Sequence, residues 1–262
     1  MVKIPKTVPA ETADSPIRIC FERIIPDELD SERHVRRALR EQMLTGRRTP
    51  PSNDEVIHVA RLAVPISKKW DPGQILRCRF LDGSPTMKRK VEAVAHKWEQ
   101  YCSIQFRFVT KGPEEIRISF RADPGSWSAV GRDALNRGAF PIFQPTMNFG
   151  WLTDTTPQQE YDRVVLHEFG HALGAVHEHQ SPSFDRVWDR QAVLKYFQGP
   201  PNYWSVAAIE HNVLNKLKPG GMKFTKFDPK SIMLYAFDAR LFADNGGPTN
   251  SNSAISQTDI AL

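Results

Sequence analysis

The chain has 262 residues, of which 40% are hydrophobic and 25% are charged. That balance suits one large folded domain or two lobes, and it excludes collagen, coiled coil and whole-chain disorder. The net charge of +5 is too mild to demand an acidic partner, and no apolar run approaches the ~18 residues of a membrane span.

Residues 1–74 differ in texture from the rest and read as an N-terminal extension or a pro-segment. The first thirty residues lack the apolar core of a secretory signal, which leaves the compartment open. Residues 30–43 predict a helix that Asp30 or Ser31 caps, with Val35, Leu39 and Met43 on one stripe. The arginines around it (Arg33, Arg36, Arg37, Arg40, Arg47, Arg48) read as a solvated face rather than a nucleic-acid surface. Residues 45–54 read as an exposed loop. Three cysteines, Cys20, Cys78 and Cys102, exclude a disulfide-rich scaffold but leave room for one bridge.

The pattern sharpens from Ile75, where the folded unit of residues 75–262 is expected to begin. Residues 76–81 alternate, with Leu76, Cys78 and Phe80 on one face, and predict a half-buried strand. A helix follows over 87–101, its stripe formed by Met87, Val91, Val94, Trp98 and Tyr101. Residues 104–109 and 116–120 predict two more strands, and 145–151 a short edge strand with proline at its start. Beyond Gly174 strand signals are scarce, and 188–197 and 203–217 look helical. The expectation is an α+β fold of two lobes with a cleft between them. Residues 75–174 would carry a twisted mixed sheet and two helices, and residues 175–262 mostly helix and loop. Trp98, Trp127, Trp151 and Trp204 read as core.

Histidine is unevenly spread: of eight, His167, His171, His177 and His179 crowd into thirteen residues. They belong to VVLHEFGHALGAVHEH, which starts at Val164. On a helix, His167 and His171 share a face one turn apart, the separation that grips one metal ion. Glu168 sits where a carboxylate reaches metal-bound water rather than the metal. Gly174 suits the left-handed conformation that ends a helix, after which His177 turns back toward the same ion. Three neutral imidazoles with open coordination positions describe a catalytic zinc site. A match at these five positions arises by chance in about one chain in 10⁵.

HEFGHALGAVH resembles the extended zinc motif of the metzincins, H-E-x-x-H-x-x-G-x-x-H. SIMLY, residues 231–235, resembles their methionine turn, with Met233 as the apolar floor beneath the ligands. Within that superfamily the chain looks most like the astacin family. Glu178 follows the third histidine, Tyr235 lies two residues past the methionine, and SWSAVG (126–131) and PTMNFGWL (145–152) resemble stretches of microbial and fungal astacin-like peptidases. The likeness departs at EHQSPSFDR, which keeps only parts of the usual run, at Leu234 where histidine is frequent, and in the missing cysteine framework.

The resemblance implies the zincin-like form of the α+β fold and a zinc-dependent endopeptidase. Zn²⁺ would be bound by His167, His171 and His177. Glu168 would be general base and then acid, and Tyr235 a further ligand or an oxyanion donor. It also implies a protein or peptide substrate, with neither nucleic acid nor membrane as partner, and a monomer is expected. The resembled family is largely secreted. The competing reading is a catalytically inactive zinc module that binds protein through the same fold. The segment 147–150 is expected to pair with an extended peptide. His179 reads as lying behind the ligands or at the surface, and His34, His58, His96 and His211 as outside the site. No motif around Cys20 supports a thiol cap on zinc from a pro-segment.

Overall fold

The computed structural model describes residues 20–23, 64–122, 125–200, 203–217, 222–224, 226–244 and 246–261. The predicted helix at 30–43 and loop at 45–54, with His34 and His58, lie outside them. In chain order the strands are β1 (Phe21–Arg23), β2 (Val64–Pro65), β3 (Ile75–Phe80), β4 (Gln105–Phe108), β5 (Ile116–Ser119), β6 (Trp127–Ala129), β7 (Met147–Asn148) and β8 (Met222–Lys223). The α-helices are α1 (Pro85–Ala95), α2 (Gln158–Leu173), α3 (Arg190–Gln198) and the short α4 (Val206–Ile209).

Six strands form one mixed sheet in the order β1-β6-β7-β5-β3-β4. β3 shows the alternation that places Leu76 and Cys78 in the core, and it pairs in parallel with β4 and β5. Parallel neighbours need a crossover, which α1 supplies between β3 and β4. α1 starts at Pro85 because Ser84 Oγ accepts the Met87 amide at 3.1 Å, and it tightens into a 3-10 turn at His96–Gln100. The predicted stripe holds in its middle, where Val91, Val94 and Trp98 are buried; Met87 is half-buried, and Tyr101, past the end of the helix, is 39% exposed. Trp98 donates its indole N–H to Leu166 O on α2 at 3.0 Å. Truncating such a buried aromatic costs about 3–5 kcal/mol.

Two expectations change in the sheet. β5 is buried at all four residues rather than on alternate ones, so both of its faces are covered. Its buried Arg117 donates to the carbonyls of Gln144 (2.6 Å) and Phe140 (3.0 Å), and burial pulls its pKa down to about 10. The segment 145–151 does not form an edge strand: β7 lies between β5 and β6. The strand beyond it is β6, and β1 runs parallel to β6 with Phe21 opposite Trp127 and Arg23 opposite Ala129.

Residues 64–74, grouped by sequence texture with the N-terminal extension, are built into the same body. β2 pairs antiparallel with β8. Trp70 donates to Ala172 O at 2.7 Å, and Lys68 pairs with Asp133 at 3.0 Å with both side chains 1% exposed. Removing one partner of such a buried pair costs about 3–5 kcal/mol, since the other charge stays behind.

α2 crosses behind the sheet and is buried from Val164 through Leu173. It ends where Gly174 takes φ 112°, and the Ala175 amide returns to Gly170 O at 3.0 Å. No side chain other than hydrogen tolerates that φ cheaply. Gly174→Ala is therefore expected to lower stability by about 1–3 kcal/mol, read as a reduced urea midpoint at unchanged slope. Past Gly174 the chain is mostly loop. α3 starts two residues later than the helix expected at 188–197, because Asp189 caps it through the Ala192 amide at 3.0 Å. The helix expected at 203–217 shrinks to α4 and a π-helical turn at Glu210–Leu214. No described helix is long and apolar enough to cross a membrane.

Candidate metal centre

The 3.6-residue period of α2 stacks His167 and His171 on one face, and the reversal at Gly174 returns His177 to them. All three are buried, with one ring nitrogen of each within 4.8 Å of the others. His171 Nε2 lies 3.1 Å from His167 Nε2 and 3.1 Å from His177 Nε2. Every Nδ1 faces an oxygen acceptor: Ile232 O at 2.8 Å for His167, Ala175 O at 2.8 Å for His171 and Gln180 Oε1 at 3.2 Å for His177. Gln180 is held in that orientation because its amide nitrogen donates to His211 O at 2.6 Å.

Those acceptors draw the ring proton to Nδ1 on each imidazole. The Nε2 lone pairs are then left converging on one point, where they repel unless a cation stands among them. Burial also keeps the rings neutral, the form that ligates. It holds His171 at about 4 and His167 and His177 well below the usual histidine range, with the charge of neighbouring His171 adding to the last two. The donor set therefore fits a small N-ligated ion such as zinc.

The other expected residues gather at the same place. Glu168 is 0% exposed beside His167 on α2. The Tyr235 hydroxyl lies against His177 Nε2, and its ring stacks on His167 at 5.2 Å between centroids. Met233 is buried beneath, its sulfur packed so tightly on Gly170 that a side chain there would displace it. Glu178 ties the turn from both ends: its amide donates to Met233 O at 3.0 Å and its carboxylate accepts the Asp228 amide at 2.9 Å. Burial pushes Glu178 up to about 8.

His179 is not a surface residue. It is fully buried, bonds Asn212 O through Nε2 at 3.0 Å and packs against His177, Tyr235 and Phe237. His96 stands apart, paired with Glu99 at 2.9 Å, and His211 meets the site only through its backbone.

Cys20, set aside in the sequence for want of a motif, also lies at the site. It is 0% exposed, its carbonyl accepts the Tyr235 hydroxyl, and its thiol stands close enough to Glu168 to feel that carboxylate's charge. Burial first, then the Glu168 charge, push that thiol well above the usual range. Cys20, Cys78 and Cys102 are all free thiols. Sequence reasoning missed Gln180, although its place three residues after His177 is a local signal for a partner.

Comparison with known proteins decides the family. The sequence model of the Astacin peptidase family matches residues 63–256. The chain belongs to the astacin family. Zinc metalloproteinase nas-38 of Caenorhabditis elegans is 27% identical over 142 residues, covering 54% of this chain and 17% of that protein. Protein SpAN of Strongylocentrotus purpuratus is 25% identical over 281 residues, covering 100% of this chain and 39% of that protein. The chain thus spans well under half the length of these curated relatives. Among solved structures, myroilysin is 38% identical with a TM-score of 0.72, over 76% of this chain and 95% of that one. The fold is the α+β zincin-like one.

Proposed function

We propose that the chain is a zinc metalloendopeptidase held latent by its own residues 20–23. The observation that carries this reading is the convergence of three Nε2 lone pairs beside Glu168 and Tyr235. His167, His171 and His177 would hold the zinc. When bound, zinc supplies Lewis acidity that polarises a scissile carbonyl and brings water into reach of ionisation near neutral pH.

The chain's own groups do the rest. Glu168 takes the proton of the attacking water and returns it to the leaving amine. The Tyr235 hydroxyl donates to the carbonyl oxygen as charge develops there, a contribution of about 3 kcal/mol for a well-aimed donor. An extended peptide finds its ladder on β6, the position filled here by β1. Cys20 meanwhile accepts the Tyr235 hydroxyl at its carbonyl and sets its thiol beside Glu168, so residues 20–23 stand where substrate would meet the two groups that act on it. On this reading the pro-segment boundary falls between Arg23 and Val64 rather than at residue 74, because residues 64–74 share the body of the enzyme.

A diverse peptide library incubated with the protein, with and without a chelator, tests the proposal. Chelator-sensitive cleavage within peptides is expected once residues 1–63 are removed. Zinc bound without any cleavage would instead leave a silent zinc module that binds protein.

A further inference from the structure

The hydrogen bonds behind His167 run on to a buried carboxylate. His171 leans on Ala175 O, and His177 on Gln180 Oε1, whose amide donates onward to the carbonyl of His211. His167 leans on Ile232 O, and the amide at the other end of that same peptide unit, Met233 N–H, donates to Ser231 Oγ at 3.0 Å. Ser231 Oγ in turn donates to Asp259 Oδ1 at 2.7 Å. The links run in one direction: imidazole to carbonyl, amide to hydroxyl, hydroxyl to carboxylate. Asp259 Oδ2 accepts from Ile232 N and Ser256 N, both at 2.8 Å, so the carboxylate is fixed from two segments. Ser231 and Asp259 are both 0% exposed. Burial pushes Asp259 up, and these donations oppose it.

We propose that Ser231 and Asp259 are positioning residues for the metal site, which orient His167 and strengthen its Nε2 as a donor through the peptide between Ile232 and Met233. The inference rests on the metallopeptidase reading, and Asp259 lies past the last residue matched by the family. Hydrogen bonds in a directed chain polarise one another by roughly 10–30% per bond. A carboxylate at the far end of a ligand's hydrogen bonds raises its basicity and fixes its tautomer. Neither residue touches the metal or the substrate. The peptide unit does the transmitting, and the C-terminal turn at Asp259–Ala261 thereby becomes part of the site.

The test uses the full chain as wild type, Asp259→Asn, Ser231→Ala and the double variant. Asp259→Asn keeps the shape and replaces the charge, while Ser231→Ala removes only the hydroxyl. Zinc affinity, measured by competition with a chromogenic chelator, is expected to fall about tenfold in each single variant. The double variant is expected to fall no more than roughly twofold further, because both changes break one chain. In the metal-free protein, ¹⁵N shifts are expected to move His167 toward mixed tautomers in both variants, while His171 and His177 keep their proton on Nδ1. Unchanged affinity and an unchanged His167 tautomer would overturn the proposal, and so would losses that multiply to about a hundredfold in the double variant. Should Asp259→Asn fail to fold, Ser231→Ala decides by the same two readouts. A wild-type chain that binds no zinc would overturn the metallopeptidase reading itself, a result distinct from wild-type binding that both variants preserve.

Discussion

Glu168→Ala is expected to lower kcat by about 10³-fold while zinc stays bound, the loss that follows removal of a positioned general base. The separation of the two effects comes from the geometry. His167, His171 and His177 converge through Nε2, and their Nδ1 partners are Ile232, Ala175 and Gln180. None of those contacts uses Glu168, so the metal affinity should survive its loss. Tyr235→Phe should cost less, about 10²-fold, because it removes a single donor to the developing charge. The pair is checked by steady-state kinetics beside zinc stoichiometry on the same preparations. Cleavage at the wild-type rate by zinc-loaded Glu168→Ala would rule out Glu168 as the base.

Cys20→Ala is expected to raise the activity of the intact chain by about tenfold to a hundredfold. The thiol stands beside the Glu168 carboxylate; displacing a contact to a charged group costs about 1.5–3 kcal/mol, and each 1.4 kcal/mol is about a factor of ten. The gain should stop short of full activity. The substitution keeps the Cys20 carbonyl that accepts from Tyr235 and the ladder between β1 and β6. Scission of the chain between Arg23 and Val64 should release the remainder. The comparison is made on uncut protein, with integrity verified before and after the assay. Equal rates for intact wild type and intact Cys20→Ala would show that the thiol does not hold the enzyme back.

The site was legible in sequence where its geometry is local. One helical turn sets the distance from His167 to His171, and a left-handed glycine sets the return to His177, so five positions in eleven residues carried the arrangement. Met233 and Tyr235 were read from resemblance, and they too lie in one short turn. What escaped is set by topology. Cys20 reaches Glu168 only because β1 adds to a sheet whose other strands begin at Ile75, and no residue near Cys20 announces that pairing. The edge strand was misassigned for the same reason: a two-residue segment such as β7 carries no period, and its rank in the sheet depends on β5 and β6. Asp259 is likewise joined to His167 through a turn that neither segment contains.

The core of the fold was readable because its strands and α1 alternate or repeat over enough residues to show a period. Helix ends were less so. α3 begins where Asp189 supplies a cap, and α4 gives way to a π-helical turn that a 3.6-residue pattern does not encode.

The central claim, one catalytic zinc held by three histidines, is tested most directly by titrating zinc into metal-free protein freed of residues 1–63. Bound metal and peptide cleavage are followed in the same samples. The rate is expected to rise in proportion to bound zinc and to level off at one equivalent per chain, with His171→Ala giving neither binding nor cleavage. Cleavage that proceeds in the metal-free protein, or that persists in His171→Ala, would contradict it.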